Sequence, residues 1–248
     1  MKKITAIVLV LSLLSVACER RIRYEQFEPE KLFSLQELYQ LKTYRSLEEA
    51  LESPDSVYKL LIFNQNLESV PPKLFKFRYL NVLELTRNDL TSLPQYIGDM
   101  LYLQDLYLGF NNFSKVPDVI YRLPNLKRLI IENNKLSVIP TELMEMQSLE
   151  ELHLSHNNLR EIPERLYGMR NLKVLKIDNN QISEISPGIA DLKNLEILYI
   201  SYNQIKSLPY EITDLQKLRS IYLRGNEIPR EMIDSLRVLM PKTKILLD

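Results

Sequence analysis

Residues Leu80 to Pro94 read LNVLELTRNDLTSLP, and that frame of leucines, asparagine and proline returns every 23 residues. Copies start at Val57, Leu80, Leu103, Leu126, Leu149, Leu172, Leu195 and Leu218, with no slip between them. A unit this short cannot cover its own apolar positions. Eight units in unbroken register can cover one another, so the repeat commits the chain to a solenoid whose coils touch only their neighbours.

Within a copy, alternation such as Leu152-His153-Leu154 has the period of a strand. Both leucines then face inward and the residue between them faces out. The strand can be only three or four residues long, because asparagine follows. Asn88, Asn111, Asn134, Asn157, Asn180, Asn203 and Asn226 share one column, where a side-chain amide can pair the turning backbone of its own coil and the next. In register they form an internal ladder. Pro94, Pro117, Pro140, Pro163 and Pro209 fix the backbone where the chain enters the outer side. Beyond them, Ile97 and Met100, or Ile212 and Leu215, lie three apart, as one buried face of a helical turn requires.

This LxxLxLxxNxL frame resembles the leucine-rich repeat family over residues 57 to 230. The resemblance implies an α/β solenoid, a leucine-rich-repeat horseshoe with a concave parallel β-sheet and short helical convex turns. Residues 57–228 hold the eight repeats. In the first, Gln65 stands in the asparagine column; in the sixth, Ser186-Pro187 moves the proline one place and predicts an altered convex turn. Residues 30–56 read as a helical N-terminal cap, with a capping box at Ser46-Leu47-Glu48-Glu49. Residues 229–248 read as a C-terminal cap: an amphipathic helix from Pro229 to Met240, its inner face Met232, Ile233, Leu236 and Leu239, then a strand at 244–247.

Residues 1–17 have the make-up of a signal peptide: Met1-Lys2-Lys3, then an apolar run from Ile4 to Ala17. That run falls short of the roughly 20 residues a spanning helix needs. Leu14-Ser15-Val16-Ala17-Cys18 resembles the lipobox of bacterial lipoproteins, although Ser15 stands where leucine is usual. Cys18 is the one cysteine of the chain. Lipidation there would tether the protein through residues 18–29, as an exported, membrane-anchored lipoprotein of the bacterial cell envelope, periplasmic or surface-exposed. The alternative is a plain signal peptide cleaved ahead of an incidental cysteine.

Several functions are disfavoured. Lys plus Arg and Asp plus Glu both number 32, so no basic surplus supports nucleic-acid binding. Five glycines build no phosphate-cradling loop, no GxSxG elbow is present, and no cofactor or catalysis is expected. His153 and His156 fall on a strand and its turn rather than four apart on a helix, and the sequence implies no third ligand, although Asp178 and Glu132 lie in neighbouring coils, so no metal is expected either.

The concave face carries the candidate site. Its outward columns hold Phe63, Glu84, Tyr107, Arg128, Glu132, His153, Lys176, Ile197, Tyr199, Tyr222 and Arg224, with Phe110 and Tyr202 in the turn that follows. Two aromatic clusters are expected: Ile197, Tyr199, Tyr202 and Tyr222 toward the C-terminus, and Leu61, Phe63, Tyr107 and Phe110 toward the N-terminus. Exposed tyrosine with flanking charge suits a protein ligand, and the resemblance implies protein recognition as the usual task. A glycan or cell-wall binder, with tyrosines stacked on sugar rings, is the alternative reading.

Overall fold

A computed structural model describes residues 28–247. The signal segment, Cys18 and most of the tether lie outside the described residues.

One open sheet of ten parallel strands runs through the molecule, its spatial order the order of the chain. Strand β1 (Thr43–Tyr44) precedes the repeats. The repeats supply β2 (Lys59–Leu61), β3 (Val82–Glu84), β4 (Asp105–Tyr107), β5 (Arg128–Ile130), β6 (Glu151–His153), β7 (Val174–Lys176), β8 (Ile197–Tyr199) and β9 (Ser220–Tyr222), and β10 (Lys244–Leu246) closes the row. From β2 to β9 each residue pairs with the one 23 positions on, as in Leu106↔Leu129. A slip of one residue would turn every core leucine to solvent, so the buried column locks the register. Leu60, Leu83, Leu106, Leu129, Leu152, Leu175, Leu198 and Ile221 are all buried in one continuous core. Each such burial contributes roughly 1.5–3 kcal/mol.

On the convex side the chain makes five-residue 3₁₀ turns, from Pro72–Lys76 to Tyr210–Asp214. The tight spacing puts residues three apart on one side. The Met100 N–H donates to the Ile97 carbonyl at 3.1 Å, and both side chains are buried. The displaced proline of the sixth repeat leaves its turn in place at Pro187–Asp191; Ser186, now the capping residue, accepts from the Gly188 N–H.

The asparagine ladder is built from side-chain amides. Asn157 donates through Nδ2 to the carbonyls of Leu154 and Ser155 in its own coil and Ile131 in the coil before, and its Oδ1 accepts from the Leu136 N–H at 2.9 Å. Each of the other six makes the same cross-coil pair. In the first coil, where Gln65 replaces asparagine, Asn88 accepts a second bond, from the Gln65 N–H.

The ends differ from the sequence reading. The N-terminal cap is not continuous helix: helices α1 (Leu35–Gln40) and α2 (Leu47–Leu51) flank β1, which extends the sheet by pairing with β2. The reciprocal capping box lies at Ser34 and Glu37 on α1. At α2, Ser46 accepts from the Glu49 N–H, but the Glu49 carboxylate pairs with Lys42 at 2.9 Å instead of returning the bond. Helix α3 (Arg230–Leu239) buries Ile233 and Leu236 but leaves Leu239 47% exposed, and Met240 takes its place in the core. Glu28 and Pro29, read as tether, are fixed on the flank of the solenoid. The Glu28 N–H donates to the Tyr102 hydroxyl at 2.7 Å, the Tyr79 hydroxyl donates to the Glu28 carboxylate at 2.6 Å, and Pro29–Lys31 forms a turn.

Candidate functional site

The concave columns are not uniformly open. Strands in a sheet lie about 4.8 Å apart, so each outward side chain is walled in by its counterparts 23 residues away. Asp105 is only 4% exposed and His153 only 8%, and Val82, Ser155 and Ser201 are buried too. The expectation that residues between core leucines face solvent fails at these places, and His153 is not an open partner contact.

At the centre of the sheet this crowding builds a closed polar network. Arg128 grips Glu151 with two parallel bonds, Nε to Oε2 at 3.0 Å and Nη2 to Oε1 at 3.1 Å. Its Nη1 donates to the Tyr107 hydroxyl at 2.9 Å and to Asp105 Oδ2 at 3.4 Å. Nε2 of His153 sits 3.5 Å from Glu151 Oε2, near enough for charge attraction but without hydrogen-bond alignment. His153 and the bidentate Arg128 hold the Glu151 carboxyl down at about 2. Burial pushes Asp105 up, with Arg128 opposing. Burial likewise opposes the Arg128 charge, but Asp105, Tyr107 and Glu151 outweigh it and raise its pKa. Arg128, Glu151, Tyr107 and Asp105 thus satisfy one another, while His153 Nε2 is buried without a hydrogen-bond partner.

Tyr107 therefore belongs to this network and not to an aromatic cluster. Among the described residues no ring contact joins it to Phe63 or Phe110, because the coil carrying Glu84 separates Phe63 from Tyr107. Burial raises Glu84 itself. Phe63 and Phe110 stand singly and exposed, Phe110 with the Arg87 guanidinium 4.9 Å from its ring centre.

Toward the C-terminus the rings do come together. Tyr199 on β8 and Tyr222 on β9 stack with centroids 4.1 Å apart and planes 8° from parallel. Lys176, on the opposite neighbour β7, places Nζ 4.7 Å from the Tyr199 centroid. Burial, then the adjoining Tyr222, pushes the Tyr199 hydroxyl up to about 12. Ile197 pairs with Ser220 beside them. Tyr202 follows in the turn, its ring 5.6 Å from the Arg224 guanidinium. Below, Asp178 accepts from the Ser155 hydroxyl and the Ser201 N–H; burial raises it and those bonds oppose the rise.

One constraint was overlooked in the sequence. The residue before each ladder asparagine, together with Asn64 in the first coil, has a left-handed backbone: Asn64, Arg87, Phe110, Asn133, His156, Asn179, Tyr202 and Gly225 have φ between 52° and 69°. Asparagine and glycine tolerate this region, whereas other residues lose roughly 1–2 kcal/mol. Asn64, Asn133, Asn179 and Gly225 were the legible signal. His156 sits exposed on this rim while His153 is buried on the strand. Among the described residues no three His, Cys, Asp or Glu side chains gather as metal ligands would.

Residues 61–181 match the model of a leucine-rich repeat region, and residues 170–228 match a second leucine-rich repeat model. No curated protein sequence matches the chain. Among solved structures, an internalin of Listeria monocytogenes superposes with a TM-score of 0.69 at 24% identity, covering 82% of this chain and 58% of its own. This chain therefore spans less than two thirds of that protein's length. Internalin C2 of the same organism gives 0.68 at 23%, covering 79% and 82%. A plant peptide hormone receptor, RGFR1 in complex with RGF2, gives 0.64 at 28%, covering 78% and 32%. Solenoids of this family commonly serve as protein-interaction scaffolds. With its 23-residue frame, parallel sheet and asparagine ladder, the chain belongs to the leucine-rich repeat family.

Proposed function

We propose that this protein is an exported, lipid-anchored module that binds a protein partner on the C-terminal half of its concave face and performs no catalysis of its own. The stacked pair Tyr199 and Tyr222 carries the reading. The central network spends its polar groups internally, whereas the C-terminal half presents aromatic area edged by Lys176 and Arg224. Aromatic side chains bury large area at small entropic cost, and arginine and tyrosine are favoured at interface hot spots. The family's usual task supports the same class of ligand. Sugar stacking needs an open ring face, and Tyr199 has Tyr222 against one face and Lys176 toward the other, which weighs against the glycan reading.

Export and anchoring rest on the N-terminal segment and Cys18. Labelling cells with a radioactive fatty acid tests the anchor: label lost in Cys18→Ala supports it, and an unlabelled mature chain sinks it. The immobilised protein, offered envelope and host extracts and a glycan array, tests the partner class. Retention of a protein that the Tyr199→Ala/Tyr222→Ala double variant loses supports the reading. Capture of glycans alone, or turnover of any substrate, overturns it.

A further inference from the structure

The last strand of the sheet presents an open edge. In β10 the Lys244 N–H donates to the Arg219 carbonyl at 2.8 Å, and the Leu246 carbonyl accepts from the Leu223 N–H at 2.9 Å. Successive residues of a strand bond to opposite neighbours, so Ile245, between them, turns its N–H and carbonyl to the outer side. Among the described residues no strand lies there. An edge that offers both groups is a template for one more strand. The opposite edge is blunted, because β1 is only two residues long, with α1 before it and α2 after it.

The cap that carries this edge is apolar where the end of a solenoid needs polar cover. Val238 is 78% exposed on the side of α3 away from Ile233 and Leu236, and Leu239 and Leu247 are exposed as well. Of the ten large apolar side chains exposed among the described residues, these three fall within residues 238–247. Apolar area gathered in one place marks an interaction surface. Charge does not oppose a like surface there: Asp234 of α3 pairs with Arg230 at 4.0 Å and with Arg237 at 3.2 Å, so the helix shows no excess of one sign.

We propose that the occupant of this edge is a second copy of the chain, joined through β10 in antiparallel register about Ile245. A two-fold axis through Ile245, perpendicular to the sheet, makes the open groups their own complement, each N–H meeting the carbonyl of the other copy. The same axis sets Lys244 opposite the partner's Leu246. Parallel addition in register would set lysine against lysine, which destabilises a strand pair. The outer sides of the two α3 helices then close over Val238. Both concave faces point the same way in this dimer, and the two β9 strands lie about 14 Å apart, three strand spacings. The contact uses the edge and the cap, and it holds whether or not a ligand occupies the concave face.

Sedimentation equilibrium tests the dimer, using the full chain with Cys18→Ser throughout so that no acyl chain associates the molecules. The parent should sediment at twice its monomer mass and dissociate on dilution, and its Ile245 amide should exchange slowly only in the dimer. Leu246→Lys sets lysine against the partner's Lys244 twice per dimer and should weaken association roughly tenfold. The double variant Lys244→Glu/Leu246→Lys replaces that repulsion with opposite charges and should restore association. Leu246 lies outside the buried core, so the single variant should keep the parent's circular dichroism, which separates a lost contact from a lost fold. A chain that stays monomeric at every concentration, or a dimer that Leu246→Lys leaves intact, would overturn the proposal. Failure of the double variant to recover would overturn the antiparallel register.

Discussion

The ring of Tyr202 rests on the bare Cα of Gly225: a Cβ built there would stand 2.5 Å from Tyr202 Cδ1. Gly225 is also left-handed, with φ of 69°. Gly225→Ala therefore meets two penalties, backbone strain of about 1–2 kcal/mol and a collision with the ring. The collision should vanish in a Tyr202→Asn background. Urea denaturation of the double-mutant cycle should show the alanine costing less there than in the parent, with a coupling of about 1 kcal/mol. Equal costs in both backgrounds would mean that the ring does not lean on this glycine.

The ladder should be least forgiving where it is buried on both sides. Asn157→Ala removes three donated bonds and leaves the buried Leu136 N–H without its amide partner, while the Ile131 carbonyl keeps only the longer bond from Asn134 Nδ2 at 3.3 Å. At roughly 1–3 kcal/mol per buried unsatisfied group, a loss of about 2 kcal/mol follows. Asn226, half-buried at the last repeat, should cost about half as much, since water can reach the groups it leaves. Equilibrium unfolding of the two variants makes the comparison.

The repeat frame made the sheet, its register and the ladder legible, because leucine, asparagine and proline each solve a physical problem that recurs every 23 residues. What escaped was whatever depends on neighbouring coils pressing together. Alternation says that His153 and Asp105 point away from the core, but it cannot say that flanking strands bury them. Tyr107 and Phe63 belong to similar columns, and only the strand between them shows that they do not meet. The Tyr199–Tyr222 stack was legible because those residues occupy one column in consecutive coils. Left-handed backbone at Phe110 and Tyr202 was hidden by the very rings that make the positions interesting, although asparagine and glycine in sister repeats announced it. The flank packing of Glu28 to Ser34 has no periodic signal at all.

Acid should weaken the centre of the sheet through Glu151. Its folded pKa, held down to about 2 by His153 and Arg128, lies below the usual carboxylate value of 4.5. A depressed carboxylate contributes stability that is present above its unfolded pKa and is lost as pH falls through the folded one. The loss from this group therefore falls between about pH 4.5 and 2. Asp105, raised by burial, acts with the opposite sign, its burial cost easing as it takes up a proton. Melting curves across that window should show a shallower acid decline for Glu151→Gln than for the parent. At neutral pH, Arg128→Ala strands the buried Asp105 and should cost about 3 kcal/mol.

The N-terminal segment should come loose locally when its anchor is removed. Asn81 is fully buried; its Nδ2 donates to the Lys31 carbonyl at 2.9 Å and its Oδ1 accepts from the Phe33 N–H at 3.3 Å. Gln104 adds a bond from Nε2 to the Phe33 carbonyl at 2.8 Å. These bonds hold residues 28–34 across the flank of the first three coils. Coils of a solenoid couple mainly to their neighbours, so Asn81→Ala should act near its own site. Amide exchange in residues 28–34 should quicken about tenfold, equivalent to roughly 1.4 kcal/mol of local opening, while β8 and β9 keep their protection. Uniformly faster exchange across all ten strands would instead make Asn81 a global stabiliser of the solenoid and deny the segment an anchor of its own.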